Sequence, residues 1–224
     1  LPTLGDDKGR ISIDIAQSNP DVLYASYADA IGSVQGFYKS INGGDSWATI
    51  NSSPITNVGF HWWFGGLFIN PTDENEVYHV GFDMQKTTDG GATWEDTFPG
   101  VHVDQHALAF HPDDASNVFL GNDGGLYTST NSGTTSVKDL TLPITQFYRF
   151  TAENYGRWYG GAQDNSTMRT TTGSTDDWVI INGGDGFQAV FHPTNPDIFY
   201  TESQNGNIEV TLDGGDDWFN AGEG

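Results

Sequence analysis

His102, Asp104 and His106 stand at alternate positions. Along an extended segment, alternate side chains share one side, so two imidazoles and a carboxylate point the same way. Such a set suits a divalent cation, zinc through the imidazoles or calcium through oxygens. It equally suits hydrogen bonds to neighbouring elements. Asp123, followed by Gly124 and Gly125, is a carboxylate that a ligand can approach closely. Asp164, beside Asn165, is a second. Two carboxylates across a cleft divide into acid and base when burial raises one pKa; the bland reading is a pair of turn-stabilising aspartates. Trp62 and Trp63 are flat, partly hydrated surfaces suited to sugar rings. As neighbours in a strand they would point to opposite sides, one into the core and one outward.

Composition narrows the partners. Over 224 residues, 8 Lys and Arg oppose 30 Asp and Glu, a net charge of −22. That surface repels phosphate backbones and anionic membranes, so no nucleic acid is expected. The longest mainly apolar stretch, Phe60 to Ile69, is too short to cross a bilayer, so no membrane insertion is expected either. The absence of cysteine removes disulfides, thiolate metal sites and thiol nucleophiles. Seven Trp, nine Tyr and fourteen Phe supply enough apolar area for a packed core. Acidity with so few lysines suits a secreted or cell-surface protein, or one from a salty habitat.

The elements that must position these residues repeat. Ser40-Ile-Asn-Gly-Gly-Asp-Ser-Trp47, Thr87-Thr-Asp-Gly-Gly-Ala-Thr-Trp94 and Thr211-Leu-Asp-Gly-Gly-Asp-Asp-Trp218 are copies of one box. Weaker copies run from Ser129 to Ser136 and from Thr171 to Trp178. Their final residues are 47, 42, 42 and 40 positions apart. Upstream of the boxes stand turns: Asn19-Pro20-Asp21, Asn70-Pro71-Thr72, His111-Pro112-Asp113 and His192-Pro193-Thr194. Short runs of β-branched and aromatic residues flank each turn and box. In the first repeat they are Ile11–Ile15, Val22–Ser26, Gly36–Ile41 and Ser46–Ile50. Four strands, A to D, in about 42 residues make a β-propeller blade. The reading is therefore an all-β propeller of four-stranded antiparallel blades. Five are visible, at about 8–50, 58–98, 104–140, 146–181 and 186–220. The box is the tight C-to-D turn, its glycines taking positive φ, and the box tryptophans Trp47, Trp94, Trp178 and Trp218 are expected at equivalent seats between blades.

Blade topology sorts the polar residues. C-to-D and A-to-B turns lie at one end of a blade; B-to-C loops and D-to-A connections lie at the other. His61, Trp62, Trp63, His102, Asp104, His106 and Asp185 belong to D-to-A connections or the start of strand A. Asp29, Asp83, Asp123, Asp164, Asn165, Gln204 and Asn205 belong to B-to-C loops. All of them are expected at the end away from the boxes, with Trp62, Trp63, Asn165 and Asp185 binding substrate and Asp123 and Asp164 acting on it. His111 and His192 fall at the opposite end and read as structural.

The box resembles the Asp-box, or BNR repeat, of sialidases, sortilin and xyloglucanase-type glycosidases. His102–Ala107, Gly121–Tyr127, Gln146–Arg149, Gly160–Asn165, Gly183–Phe187 and Glu202–Gly206 resemble, in the same order, phrases of a bacterial sortilin-like, BNR-repeat glycosyl hydrolase family. The stretch from Asp123 to Tyr127 resembles one in xyloglucanase-type enzymes, with spacing that differs by one residue. The resemblance implies a glycan ligand and glycoside hydrolysis, or, as in sortilin, a protein segment bound at the channel face without catalysis. It also implies the remaining blades of a longer parent chain. Sialidase chemistry is not expected, because it needs an arginine cluster and the chain has only Arg10, Arg149, Arg157 and Arg169.

Overall fold

The computed structural model describes residues 9–56, 59–142, 144–152 and 156–221. These form five four-stranded antiparallel sheets, each a meander in sequence order. Blade 1 is β1 (Ile11–Ile15), β2 (Leu23–Ala28), β3 (Val34–Ser40) and β4 (Ala48–Ile50). Blade 2 is β5 (Gly66–Asn70), β6 (Asp73–Val80), β7 (Met84–Thr87) and β8 (Glu95–Asp96). Blade 3 is β9 (Gln105–His111), β10 (Asp114–Asn122), β11 (Gly125–Ser129) and β12 (Val137–Lys138). Blade 4 is β13 (Phe147–Ala152), β14 (Trp158–Ala162), β15 (Thr167–Thr170) and β16 (Trp178–Asn182). Blade 5 is β17 (Ala189–Phe191), β18 (Phe199–Ser203), β19 (Asn207–Thr211) and β20 (Phe219–Asn220). No α-helix occurs among the described residues, and no helix is long and apolar enough to cross a membrane. The chain divides into two compact units, residues 1–142 with blades 1 to 3 and residues 143–224 with blades 4 and 5.

Turn chemistry sets each blade. In the second box, Asp89 Oδ1 accepts from the backbone N–H groups of Ala92 (3.0 Å) and Thr93 (2.9 Å), and Thr87 Oγ1 accepts from Gly91 N at 2.9 Å. Ser40 with Asn42, Ser129 with Asn131, and Thr211 with Asp213 repeat that pattern. The fourth turn departs from it. Its buried hydroxyl is Thr170, which accepts from Trp158 N, and its carboxylate is Asp177 at the far end of the turn, accepting from Thr171 and Thr172. The alignment of Thr171 with the other boxes is thus corrected by one residue. At the A-to-B turns a side-chain acceptor holds the backbone. Asn19 and Asn70 use Oδ1, whereas His111 and His192 use Nδ1 toward Asp113 N (3.2 Å) and Thr194 N (3.3 Å). These histidines are imidazole counterparts of asparagine in an Asx turn.

The core lies between sheets. In the first unit, Val22, Tyr24 and Phe37 of blade 1 meet Leu67, Ile69, Val77 and Trp94 of blade 2. Tyr78, Val80 and Met84 of blade 2 then meet Leu108, Val118, Leu120 and Tyr127 of blade 3. β1 also braces β5 through polar groups, since Ser12 Oγ and Asp14 Oδ2 accept from the backbone N–H groups of Leu67 and Ile69. In the second unit, Tyr159 of blade 4 packs on Phe191 and Phe199 of blade 5.

The box tryptophans occupy two kinds of seat. Trp94 lies edge-on to Phe37 of blade 1 and donates Nε1–H to Asn51 O at 2.7 Å. Trp218 joins the blade 4–blade 5 core through Phe199. Trp47 and Trp178 pack on their own blades, Trp47 beside Tyr27 and Tyr38, Trp178 against Phe147 and Phe150. The expectation of four equivalent interblade seats is corrected to two, because blades 1 and 4 each begin a unit and have no preceding blade within it.

Candidate functional site

The first unit gathers its unusual residues at the end away from the boxes. Strand β9 starts at Gln105, whose N–H bonds Gly81 O, while Asp104 N bonds Phe82 O at 3.0 Å. Asp104 itself takes φ +63. That left-handed residue breaks the alternation on which the His102, Asp104, His106 set depends. His102 turns back on its own backbone, Nδ1 to Val103 O at 2.9 Å, and His106 turns to the neighbouring loop. Among the described residues the three do not bring ligand atoms together as one cluster.

His106 pairs instead with Asp123, Nε2 to Oδ1 at 2.7 Å. The B-to-C loop carrying Asp123 is held by Asn122, which donates to His102 O (2.9 Å) and Gln105 Oε1 (3.0 Å). Asp123 N meets Asp104 O at 3.3 Å, and the two carboxylates have oxygens within 4.8 Å of each other. Burial, and next the nearby Asp123, push the Asp104 carboxyl above its ordinary pKa, against the pull of His102 and His106. The arrangement offers one carboxylate tied to an imidazole and one that holds its proton more readily.

Beside this pair stands an aromatic group. Trp62 and Trp63 lie in a turn rather than a strand, and both are exposed, at 48% and 60%. The expected division into one core ring and one outward ring is therefore corrected: a turn need not alternate its side chains. The two rings meet edge to face at 5.9 Å, Trp62 contacts Phe60, and Trp63 lies edge-on to His106 at 6.2 Å. The turn is anchored by Arg10, whose guanidinium donates to Trp63 O, and by His61 N to Gly32 O at 2.9 Å. Gly32, at φ +91, lies directly beneath Trp62. Asp29 and Asp83 serve the same end as braces. Asp29 accepts from Ile31 N and Ser33 N, and Asp83 from Thr56 Oγ1.

In the second unit the corresponding loops carry Asp164, Asn165 and Asp185. Asp164 N donates to Asp185 Oδ1 at 2.5 Å, and Asn165 Nδ2 to Gln163 O at 2.9 Å. Asp164 and Ser166 both have positive φ, 54 and 75. Asp185 thus caps the loop that presents Asp164. Next to them Tyr148 and Phe187 stack in parallel at 5.0 Å. Burial, with Asp185 and Asp164 nearby, raises the Tyr148 pKa. Asp123 belongs to the first unit and Asp164 to the second.

Three arrangements escaped sequence reasoning: the Arg10 anchor, the Tyr148–Phe187 stack and a buried stack of His61 on His79. The second had a signal, since both residues fall in the phrases Gln146–Arg149 and Gly183–Phe187. The other two had none.

No protein family and no curated protein matches the sequence. Solved structures do. The chain is similar to a GH74 enzyme of Niastella koreensis, with TM-score 0.51 and 16% identity over 93% of this chain and 37% of that one. It is also similar to the GH74 xyloglucanase of Xanthomonas campestris, at 0.49 and 15% over 93% and 38%. A third is YCF48 from Cyanidioschyzon merolae, at 0.45 and 16% over 94% and 69%. The chain carries β-propeller blades. At this identity the first likeness concerns fold alone, and the chain spans well under half the length of the two GH74 enzymes.

Proposed function

We propose that this chain is part of an Asp-box (BNR-repeat), sortilin-like propeller protein, extracellular or on the cell surface, that binds glycan at the end of its first unit away from the boxes. One observation carries this reading: the exposed Trp62–Trp63 pair abuts His106, which is bonded to Asp123. Flat apolar rings beside a charged hydrogen-bonding edge match a sugar, whose ring faces are apolar and whose rim is hydroxyl. The exposed Ile11, Ile13 and Ile15 support a further point. By strand register Ile13 and Ile15 hold the places of Leu67 and Ile69, which blade 1 buries, so they suit the seat of another blade of a longer chain.

The test is titration calorimetry of the chain with neutral oligosaccharides of β-linked glucose and xylose, with reducing-end release read in parallel. Binding abolished by Trp62→Ala and Trp63→Ala supports the reading. Turnover lost in Asp123→Asn, or in Asp164→Asn, assigns that carboxylate a catalytic role. Binding without turnover leaves a lectin-like propeller. A second reading, capture of a basic protein segment, rests on the −22 charge. It takes over when no glycan binds and a lysine- and arginine-rich peptide does.

A further inference from the structure

His61 and His79 are stacked at 5.3 Å with 19° between their planes, and are only 4% and 1% exposed. His61 comes from the connection that carries Trp62 and Trp63, and His79 from β6. Phe64 lies edge-on to His61 and Phe37 tilts over His79. Gly65 lets the backbone close over the His61 ring, where an added Cβ would sit 2.9 Å from Cδ2. Among the described residues neither nitrogen of His61 has a hydrogen-bond partner, nor has His79 Nε2; His79 Nδ1 faces Gln85 Oε1 at 3.4 Å.

Two rings so placed tolerate only the neutral form. The charged and titratable groups around them are committed elsewhere. Asp29 is bonded to its own loop, Asp83 to Thr56, Asp96 to Gln85 Nε2, Arg10 to Trp63 O and His106 to Asp123. Among the described residues no carboxylate bonds to either ring to compensate an imidazolium, and the second ring would repel it.

We propose that the His61–His79 stack is an acid-released plug: protonation expels His61 from between the sheets and frees the Gly59–Gly65 turn that holds Trp62 and Trp63. His61 is the ring that leaves, because it rides on a connection while His79 is fixed in the middle of a sheet. Burial holds both imidazoles below their ordinary 6.5, His79 down to about 3. The sign follows. Above 6.5 both states are neutral and the plug is at full strength. Below it the open state takes protons that the closed state refuses, shifting the opening equilibrium about tenfold per pH unit for each histidine. The loss of ligand on acidification follows only if the glycan reading above holds; the opening itself does not depend on it.

Hydrogen exchange of the amides of His61, Trp63 and Gly65, corrected for intrinsic rates, tests the plug without any ligand. Between pH 8 and pH 5 the opening is expected to rise several-fold, up to about thirtyfold for each histidine released. His61→Phe with His79→Phe removes the rise, and so does His61→Gln with His79→Gln should the phenylalanine variant fail to fold. His106→Gln, on the surface beside Trp63, keeps it. Equal protection at both pH values, or a rise that survives in the non-titrating variants, overturns the proposal. A ligand titration that fails while the exchange result holds counts against the binding reading alone.

Discussion

His106 Nε2 lies 2.7 Å from Asp123 Oδ1 although the residues are 17 apart in sequence. One opens strand A of blade 3, the other follows its strand B, and the antiparallel pairing of β9 with β10 brings them side by side. The pair is partly exposed, so its value to stability is small, about 0.2–1 kcal/mol. Asp123→Asn is accordingly expected to shift the midpoint of thermal denaturation by a few degrees at most. The same change should weaken glycan binding at least tenfold in calorimetry. A large loss of stability with binding intact would make Asp123 a structural residue.

Trp62 and Trp63 are exposed, so replacing either by alanine leaves the core untouched. Denaturation is expected to be unchanged within about 0.5 kcal/mol, while ligand affinity falls about tenfold or more for each ring removed. Equal affinity in both variants, measured by quenching of the remaining tryptophans, removes the platform from the site.

Gly32→Ala acts on the same turn from below. At φ +91 an added Cβ is strained and would strike Gly59 O and Trp62. A loss of about 1–3 kcal/mol is expected in chemical denaturation, with a change in tryptophan emission as Trp62 is displaced. Wild-type stability would mean that the turn yields without cost.

Box carboxylates give the protein a second acid limit, separate from the histidine stack. Hydrogen bonds from Thr93 and Thr87 hold the Asp89 pKa well below its ordinary 3.8; those from Asp217 N and Thr211 do the same for Asp213. A depressed carboxylate contributes stability that is full above the unfolded pKa and lost as pH falls through the folded one. Asp89→Ala should therefore destabilise the chain at pH 7 and flatten its acid dependence below about pH 4. A melting curve series from pH 7 to pH 2 reads both. An unaltered slope in that window would mean that Asp89 is not among the groups that limit acid stability.

His111→Asn is expected to be tolerated, and His111→Ala to cost about 0.5–1.5 kcal/mol, the worth of one turn hydrogen bond. Asparagine already performs this role at Asn19 and Asn70. Equal midpoints for the two variants in urea would show that the Nδ1 contact does not hold the turn.

Strands, turns and blade period were legible in the residues because they depend on local chemistry. A hydroxyl two positions before a carboxylate or amide, with glycines after it, closes a C-to-D turn from its own atoms, and an acceptor before proline closes an A-to-B turn likewise. Topology then assigned His102, Asp104, His106, Asp123 and Trp62 to one end. Even locally the reading had limits. The backbone of Asp104 turned left-handed and dissolved the alternating triad, and the fourth turn moved its carboxylate to Asp177. What tertiary structure decided was pairing across elements. His106 chose Asp123 over its sequence neighbours, Arg10 found Trp63 O, and His61 slid onto His79. These choices follow from how sheets face one another and from what burial forbids. No spacing along the chain encodes the distance between two side chains held on different strands.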